Sequence, residues 1–210
     1  MNNPIKAVIF DMDGVLIDAK EWHYEALNKA LNIFGYTISR HDHLVSYDGL
    51  PTMQKLEMLS KEKGLPKKLH SFINEVKQKF TLELIYLNCK PTFHHEYALS
   101  RLKLDGYKIG CASNSIRNTI DVMLKKSNLY QYMDVILSAQ DVVNPKPAPE
   151  IYTKSFKSLG LKPNNCLIVE DNEHGILAAK GSGAHVLIVN NIDDVNLDNI
   201  KQKINEISKK

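Results

Sequence analysis

The sequence of 210 residues predicts an α/β fold whose core is a doubly wound, Rossmann-like sheet of five parallel strands. Three observations lead to this prediction. Short apolar segments rich in β-branched residues recur along the chain without strict polar alternation, which is typical of strands buried on both faces. Helical patterns separate the last four of these segments. A long helical stretch interrupts the alternation after the first segment, which indicates an inserted α-helical subdomain.

The five predicted strands alternate with helices from the second strand onward. Their sequences are KAVIF at 6–10, YKIGCA at 107–112, DVILS at 134–138, CLIVE at 166–170 and HVLIV at 185–189. After the second strand, apolar residues recur at helical spacing at Ile116, Ile120 and Met123. Pro147 and Pro149 suit the first turn of the helix that follows the third strand. A helix between successive strands allows those strands to run parallel.

The segment between the first and second strands is far longer than an ordinary connection in such a fold. Apolar residues at helical spacing run through it, as at Leu27, Leu31 and Phe34. The segment therefore has the character of a separate helical unit. We expect two domains with these bounds: an α/β core of residues 1–18 and 89–210, and an inserted helical domain of residues 19–88.

Composition and charge exclude several classes of protein. The net charge of +3 is too small to indicate a nucleic-acid-binding protein, and no apolar run approaches the ~20 residues that a membrane helix needs. The three cysteines have no recurring spacing, which argues against a disulfide framework or a zinc site. Because the first strand pattern begins almost at the N-terminus, we expect no signal peptide and a cytoplasmic location. We expect neither nucleic acid nor a membrane as a partner; the sequence leaves the oligomeric state open and is compatible with a monomer.

Polar and charged residues follow four of the predicted strands at the point where each strand ends. They are Asp11 and Asp13 after the first strand, Ser113 and Asn114 after the second, Lys146 after the third, and Glu170 and Asp171 at the end of the fourth. Open parallel sheets bind ligands beyond the carboxyl ends of their strands. Single Asp, Ser or Asn residues are common in loops and caps. Four such segments at one edge, carrying carboxylate, hydroxyl and ammonium groups, indicate a functional site.

The charges of this set predict its chemistry. Asp11, Asp13 and Asp171 would repel one another without a cation, and their oxygen atoms suit Mg²⁺, which shares its ligands with waters and phosphate oxygens. Lys146 adds a positive charge, and the donors after the second strand suit an anion. These features predict phosphoryl transfer. In that reaction a carboxylate can be the nucleophile, and a second one nearby can protonate the leaving oxygen and later activate water.

The segments FDMDGVLID, SNS, KPAPEIY and VEDNEHGILAA resemble the four ordered motifs of the haloacid dehalogenase superfamily. The resemblance covers the whole predicted core, and the helical insert lies where that family has a small α-helical cap domain. Within the superfamily, the chain is similar to the β-phosphoglucomutase-like phosphatases and mutases. The four motifs are specific for the superfamily but indicate little about the substrate.

The resemblance implies roles for the carboxylates. Asp11 would be the nucleophile that forms an aspartyl-phosphate, and Asp13 would be the general acid and base, lending its backbone carbonyl to Mg²⁺ as well. Asp171 would be a metal ligand, with Glu170 nearby and acting either directly or through a water. Relatives that cleave carbon–halogen bonds typically lack the second aspartate, so its presence favours phosphate esters.

The resemblance also implies residues that bind the substrate. Ser113 and Lys146 would hold the phosphoryl group, with Asn114 in a supporting role. His23 matches the histidine at the cap hinge of the mutase subfamily and would contact the substrate, although a surface or packing role is an open alternative.

Two departures from the mutase pattern favour a phosphatase. The substrate-binding arginine of the mutases is expected where this chain has Thr52, and Ala19 replaces their usual hinge threonine. Without that cation, reorienting a bisphosphate intermediate is difficult, although Lys55 could take its place one helical turn further on.

The sequence thus predicts a Mg²⁺-dependent phosphatase that hydrolyses a small phosphorylated metabolite, a sugar phosphate being favoured, through an aspartyl-phosphate. The expected partner is a small-molecule phosphate ester. A sugar phosphomutase is the first alternative. A binding or regulatory domain that keeps a phosphate pocket without turnover is the second.

Overall fold

The computed structural model describes residues 5–209, and within them five parallel strands form one sheet in the order β3-β2-β1-β4-β5. The strands are β1 (Ala7–Phe10), β2 (Lys108–Ala112), β3 (Val135–Leu137), β4 (Cys166–Glu170) and β5 (His185–Ile188). The predicted doubly wound parallel sheet is confirmed, and several strands are one or two residues shorter than predicted. The expected domain ends at 1–4 and 210 lie outside the described residues.

The central strand β1 determines where the functional residues come together. Its four residues are fully buried, as expected for a strand that is covered on both faces. It pairs with β2 on one side and with β4 on the other, and Phe10 lies opposite Val169. The backbone N–H of Asp11 then donates to the carbonyl of Val169 at 3.0 Å. The first residue after β1 therefore lies beside the last residue of β4.

Helices α1 to α9 account for most of the remaining described chain. Their bounds are α1 (Lys20–Asn32), α2 (Arg40–Asp42), α3 (Thr52–Lys63), α4 (His70–Asn88), α5 (Phe93–Leu104), α6 (Arg117–Lys126), α7 (Glu150–Leu159), α8 (Glu173–Gly181) and α9 (Leu197–Ser208). A π-helical turn, His43–Tyr47, follows α2. Pro149 occupies the N-cap position of α7, so the prolines precede its first turn instead of lying within it.

Helices cover both faces of the sheet. Helix α7 contacts β2 and β3, and α8 contacts β4 and β5; their apolar residues, among them Tyr152 and Phe156, form one core cluster with Ile9 and Ile168. Helix α5 contacts β2, and α9 contacts both β5 and α5. This two-sided covering explains why the strand sequences are apolar at consecutive positions and do not alternate with polar residues.

Contacts divide the chain into two units. One comprises the residues up to Asp18 and those from Lys90 onward; the other is Ala19–Cys89. The N–H of Cys89 donates to the carbonyl of Ile85 at 2.9 Å, in the last turn of α4. This helical unit has its own apolar core, built from these buried residues: Leu27, Ala30, Leu31, Ile38, Tyr47, Leu56, Leu59, Leu65 and Ile73.

None of the helices in the described part of the chain combines the length and the apolar character that crossing a bilayer requires.

Candidate active site

The loop after β1 brings two aspartates to the carboxyl end of the sheet. Asp11 follows Phe10 directly and is 8% exposed. Gly14 has a φ of 90°, a backbone conformation that residues other than glycine rarely adopt. Its N–H donates to the carbonyl of Ile17 at 2.7 Å, which closes a tight turn immediately after Asp13. The glycine behind the two aspartates therefore serves to turn the chain back at the edge of the sheet.

Lys146 connects the loop after β3 with the ends of β1 and β4. Its Nζ lies 2.6 Å from Oδ1 of Asp11 and 2.6 Å from Oε1 of Glu170. The lysine is 3% exposed and Glu170 is fully buried. A buried ammonium group needs such partners, because desolvation of an unpaired charge is costly. Residues far apart in the sequence thus form one charged cluster.

Three carboxylates beside this lysine form a group that could hold a metal ion. One oxygen atom from each of Asp11, Glu170 and Asp171 lies within 4.8 Å of the other two. The backbone N–H of Asp171 donates to Oε2 of Glu170 at 3.2 Å, which orients the carboxylate of Glu170. Carboxylate oxygens are the donors that hard divalent cations such as Mg²⁺ prefer. The donor set therefore fits such a cation.

The electrostatics of the cluster also favour a cation. Burial raises the pKa of Asp11 well above its usual value; Lys146 opposes that rise, while the charges of Glu170, Asp13 and Asp171 add to it. Burial acts to lower the pKa of Lys146, but the charges and hydrogen bonds of Asp11 and Glu170 outweigh it, so this pKa is raised. One ammonium does not balance the neighbouring acids, and an additional positive charge would keep Asp11 ionised.

The segment after β2 provides hydroxyl groups to Asp13. The Oγ atom of Ser115 donates to Oδ2 of Asp13 at 2.9 Å, and Oγ of Ser113 donates to the same oxygen at 3.4 Å. The N–H of Ser115 in turn donates to Oγ of Ser113 at 3.0 Å. Ser115 was not among the predicted site residues, although it ends the SNS segment. The contact of Ser115 with Asp13 can be recognised only when the loops after β1 and β2 are seen side by side.

Asn114 connects this segment to the lysine loop. Its Oδ1 accepts a hydrogen bond from the N–H of Lys146 at 3.1 Å, and its Nδ2 donates to the carbonyl of Lys146 at 3.2 Å. These two bonds orient the backbone from which the lysine side chain extends. Asn114 therefore supports the backbone of Lys146.

Tyr152, in the first turn of α7, is a second site residue that was not predicted from the sequence. Its hydroxyl donates a short hydrogen bond to Oε1 of Glu170, and its ring lies 4.8 Å from Nζ of Lys146. Burial, reinforced by the charge of Glu170, raises the pKa of Tyr152 well above its usual value, so the hydroxyl keeps its proton. It is the last residue of the KPAPEIY segment, where an aromatic residue also fits simple core packing.

Glu150 orders the backbone that leads to Lys146. Its carboxylate accepts hydrogen bonds from the N–H groups of Val143 at 3.0 Å and of Asn144 at 2.9 Å. These backbone hydrogen bonds lower the pKa of Glu150 to about 2. Glu150 was not among the predicted site residues, because an acid at a helix start is also expected from the helix dipole.

His23 belongs to the helical unit. It lies in α1, and its Nδ1 is 3.1 Å from Nζ of Lys77 in α4, a lysine that is 6% exposed. Lys55, in the first turn of α3, is also buried, at 8% exposed. Thr52 is the first residue of that helix. The helical unit thus contains two buried lysines, one of them beside the predicted histidine.

Comparison with known proteins identifies related sequences over most of the chain. The sequence profile of the family described as haloacid dehalogenase-like hydrolase matches residues 8–189. A Thermotoga maritima protein named phosphorylated carbohydrates phosphatase is 30% identical over 198 residues, covering 90% of this chain and 88% of the relative. A Bacillus mycoides protein named pyrophosphatase PpaX is 28% identical, covering 88% of this chain and 83% of the relative.

A solved structure is similar over nearly the whole chain. The crystal structure of β-phosphoglucomutase from Clostridium difficile has a TM-score of 0.84 and 28% sequence identity, and the match covers 98% of this chain and 100% of that one.

Proposed function

The chain belongs to the haloacid dehalogenase-like hydrolases, and on that premise we propose that it is a Mg²⁺-dependent phosphatase acting on a small phosphorylated metabolite. One observation carries the proposal: Nζ of Lys146 lies 2.6 Å from Asp11, and Asp11 shares a group of three close carboxylates with Glu170 and Asp171. A cation bound by these carboxylates and the buried ammonium of Lys146 would together neutralise the negative charge of a phosphoryl group. The Thermotoga relative named for phosphorylated carbohydrates supports a sugar phosphate as substrate.

The proposed reaction uses two carboxylates in two steps. A carboxylate oxygen of Asp11 attacks phosphorus, the new phosphorus–oxygen bond forms, and the bond to the ester oxygen breaks. Asp13 donates its proton to that leaving oxygen, which departs as an alcohol. A water molecule then attacks the phosphorus of the aspartyl-phosphate while Asp13 accepts its proton. Inorganic phosphate leaves, and Asp11 is regenerated.

The neighbouring residues have supporting roles in the proposal. The carboxylates of Asp11 and Asp171 and the backbone carbonyl of Asp13 would hold Mg²⁺, with Glu170 contributing directly or through a water. The bound ion would supply positive charge to neutralise the phosphoryl oxygens. Lys146 would bind a phosphoryl oxygen when substrate is present.

Ser113 is the second proposed ligand of the phosphoryl group, and Asn114 supports the site through its hydrogen bonds with the backbone of Lys146. The hydroxyls of Ser113 and Ser115 both donate to Asp13, which supports an assignment in which they orient that acid.

A screen of phosphate esters tests the proposal. The purified protein is incubated with sugar phosphates and p-nitrophenyl phosphate, and released inorganic phosphate is measured with Mg²⁺ and after chelation with EDTA. We expect release that requires Mg²⁺ and that Asp11→Asn abolishes. Asp198→Asn, which changes an exposed aspartate in α9, is the matched control and should retain wild-type activity.

Two results would contradict this assignment. Wild-type rates in the Asp11→Asn protein would exclude Asp11 as the nucleophile. No turnover of any phosphate ester in the presence of Mg²⁺ would instead favour a binding or regulatory domain.

A sugar phosphomutase is the second candidate function. The observation in its favour is the match to β-phosphoglucomutase over 98% of this chain. Thr52 and Ala19, which replace residues of the mutase pattern, argue against it. Incubation with a hexose 1-phosphate and a bisphosphate primer separates the two candidates, because hydrolysis releases inorganic phosphate whereas mutation forms the 6-phosphate isomer.

His23 stays a prediction as a residue that contacts the substrate. If it does, His23→Gln should raise KM for the best substrate of the screen several-fold, at an unchanged unfolding temperature. An unchanged KM would contradict the assignment. The cytoplasmic location also stays a prediction.

A further inference from the structure

We propose that Tyr152 is a positioning residue: its hydroxyl fixes the carboxylate of Glu170, which in turn holds the ammonium group of Lys146 against Asp11. This inference rests on the proposed phosphatase function and adds to it a residue that does not itself contact the substrate.

The two oxygens of Glu170 have different partners. Oε1 accepts hydrogen bonds from the Tyr152 hydroxyl and from Nζ of Lys146, the latter at 2.6 Å. Oε2 accepts from the N–H of Asp171 at 3.2 Å. Tyr152 and Glu170 are fully buried and Lys146 is 3% exposed. Water cannot readily take the place of any of these donors. Loss of one donor therefore leaves the buried carboxylate of Glu170 with fewer hydrogen bonds.

The position of Lys146 depends on a balance between two acids. Its Nζ lies 2.6 Å from Asp11 on one side and 2.6 Å from Glu170 on the other. Glu170 also has an oxygen within 4.8 Å of the oxygens of Asp11 and Asp171, so a cation bound there would attract its carboxylate. A hydroxyl that binds Oε1 opposes that movement. The Tyr152 hydroxyl thus keeps Oε1 directed at the lysine.

Tyr152 is well suited to this role because the core holds it in place. It lies in α7 and forms part of the apolar cluster that packs against the sheet. The same ring lies 4.8 Å from Nζ of Lys146, close enough for a cation–π contact. One rigid side chain therefore contacts both the lysine and its partner acid.

The hydroxyl can be separated from the ring by substitution. Phenylalanine at position 152 keeps the packing of the ring and its contact with Lys146, and removes only the donor to Glu170. If the role of Tyr152 were purely structural, this substitution would lower the stability of the protein and leave kcat unchanged. The two roles therefore predict different results.

A double-mutant cycle tests the inference. Phosphate release is measured for the wild type, Tyr152→Phe, Glu170→Gln and the double variant, each with saturating Mg²⁺. We expect Tyr152→Phe to lower kcat about tenfold with little change in KM, as befits loss of a hydrogen bond to a buried charge. In the Glu170→Gln background the same change should lower kcat by less than about twofold, because the hydroxyl acts through Glu170.

Two control variants isolate this effect. Tyr47→Phe removes a different buried tyrosine hydroxyl, which donates to Oε2 of Glu62 at 2.5 Å within the helical unit. Ser155→Ala removes a buried hydroxyl from α7 itself, where it bonds only to the carbonyl of Ile151 among the contacts described. Both should lower the unfolding temperature and leave kcat near the wild-type value.

A second cycle measures the same four proteins by urea unfolding without metal, so that one readout is independent of turnover. We expect the two substitutions to be non-additive there as well. Additive effects in both cycles would overturn the inference, as would a wild-type kcat in Tyr152→Phe. A Tyr152→Phe protein that does not fold would also contradict it, because the hydroxyl would then support the fold instead of the lysine.

The failure of this inference is distinguishable from failure of the proposed function. If the wild-type protein releases phosphate from no ester, the proposed function is wrong and this inference falls with it. If the wild type is active and Tyr152→Phe is equally active, the function stands and the inference is wrong.

Discussion

The backbone of Gly175, in the first turn of α8, lies directly against the carboxylate of Glu170. A Cβ atom built on Gly175 would overlap the carboxylate carbon and both oxygens of that side chain. Glu170 is fully buried and cannot move aside without leaving Lys146 and Tyr152. The glycine in the VEDNEHG segment therefore provides the space that a buried acid occupies at the end of β4.

Replacing that glycine should disturb the charged cluster. We expect Gly175→Ala to lower the free energy of unfolding by about 1–3 kcal/mol through overpacking, and to reduce kcat at least tenfold because Glu170 is displaced. Gly181→Ala is the matched control in the same helix, since its Cβ would meet only carbons of Pro149 at 3.7 Å. Urea unfolding and phosphate release measure the two effects. Equal behaviour of the two variants would contradict the role of Gly175.

The two hydrogen bonds between Asn114 and the backbone of Lys146 should support activity. Asn114→Ala removes both, and we expect kcat to fall at least tenfold and the free energy of unfolding to fall by about 1–3 kcal/mol. Asn118→Ala, at an exposed position in α6, is the control. If Asn114→Ala kept the wild-type kcat, the lysine backbone would not need this support.

The hydroxyl of Ser115 should orient the proposed general acid and base. It is the nearer of the two serine donors to Asp13, at 2.9 Å. We expect Ser115→Ala to lower kcat about tenfold, since the remaining serine donor lies at 3.4 Å. Ser100→Ala, which removes a hydroxyl bonded to the carbonyl of Tyr97 in α5, should leave kcat unchanged. An unchanged rate in both variants would exclude this role for Ser115.

Glu150 should make stability depend on pH in the acid range. Backbone hydrogen bonds from Val143 and Asn144 lower its pKa from 4.5 to about 2. A carboxyl group with a lowered pKa in the folded state stabilises the protein above its unfolded pKa, and this contribution is lost as pH falls through the folded value. The stability difference between wild type and Glu150→Gln should therefore be full at neutral pH and shrink from about pH 4.5 towards 2. Urea unfolding at several pH values measures it, and a difference independent of pH would contradict the assignment.

The sequence alone determined the class of fold and the end of the sheet at which the candidate site residues lie. Consecutive apolar, β-branched residues are local signals, so the five strands were recognisable close to their observed bounds. The positions of Asp11, Lys146 and Asp171 relative to strand ends were equally local. Because the carboxyl ends of parallel strands lie at the same end of a sheet, these residues were expected on that side of the molecule.

Only the tertiary structure decided which side chains contact one another. The Tyr152 hydroxyl on Glu170, the Ser115 hydroxyl on Asp13 and the Asn114 amide on the backbone of Lys146 all join segments that are distant in sequence. Such bonds depend on the strand order and on the direction of each side chain at its own position. Local periodicity and residue type specify neither the strand order nor the side-chain directions. These contacts can therefore be recognised only from the folded structure, in which the loops lie together.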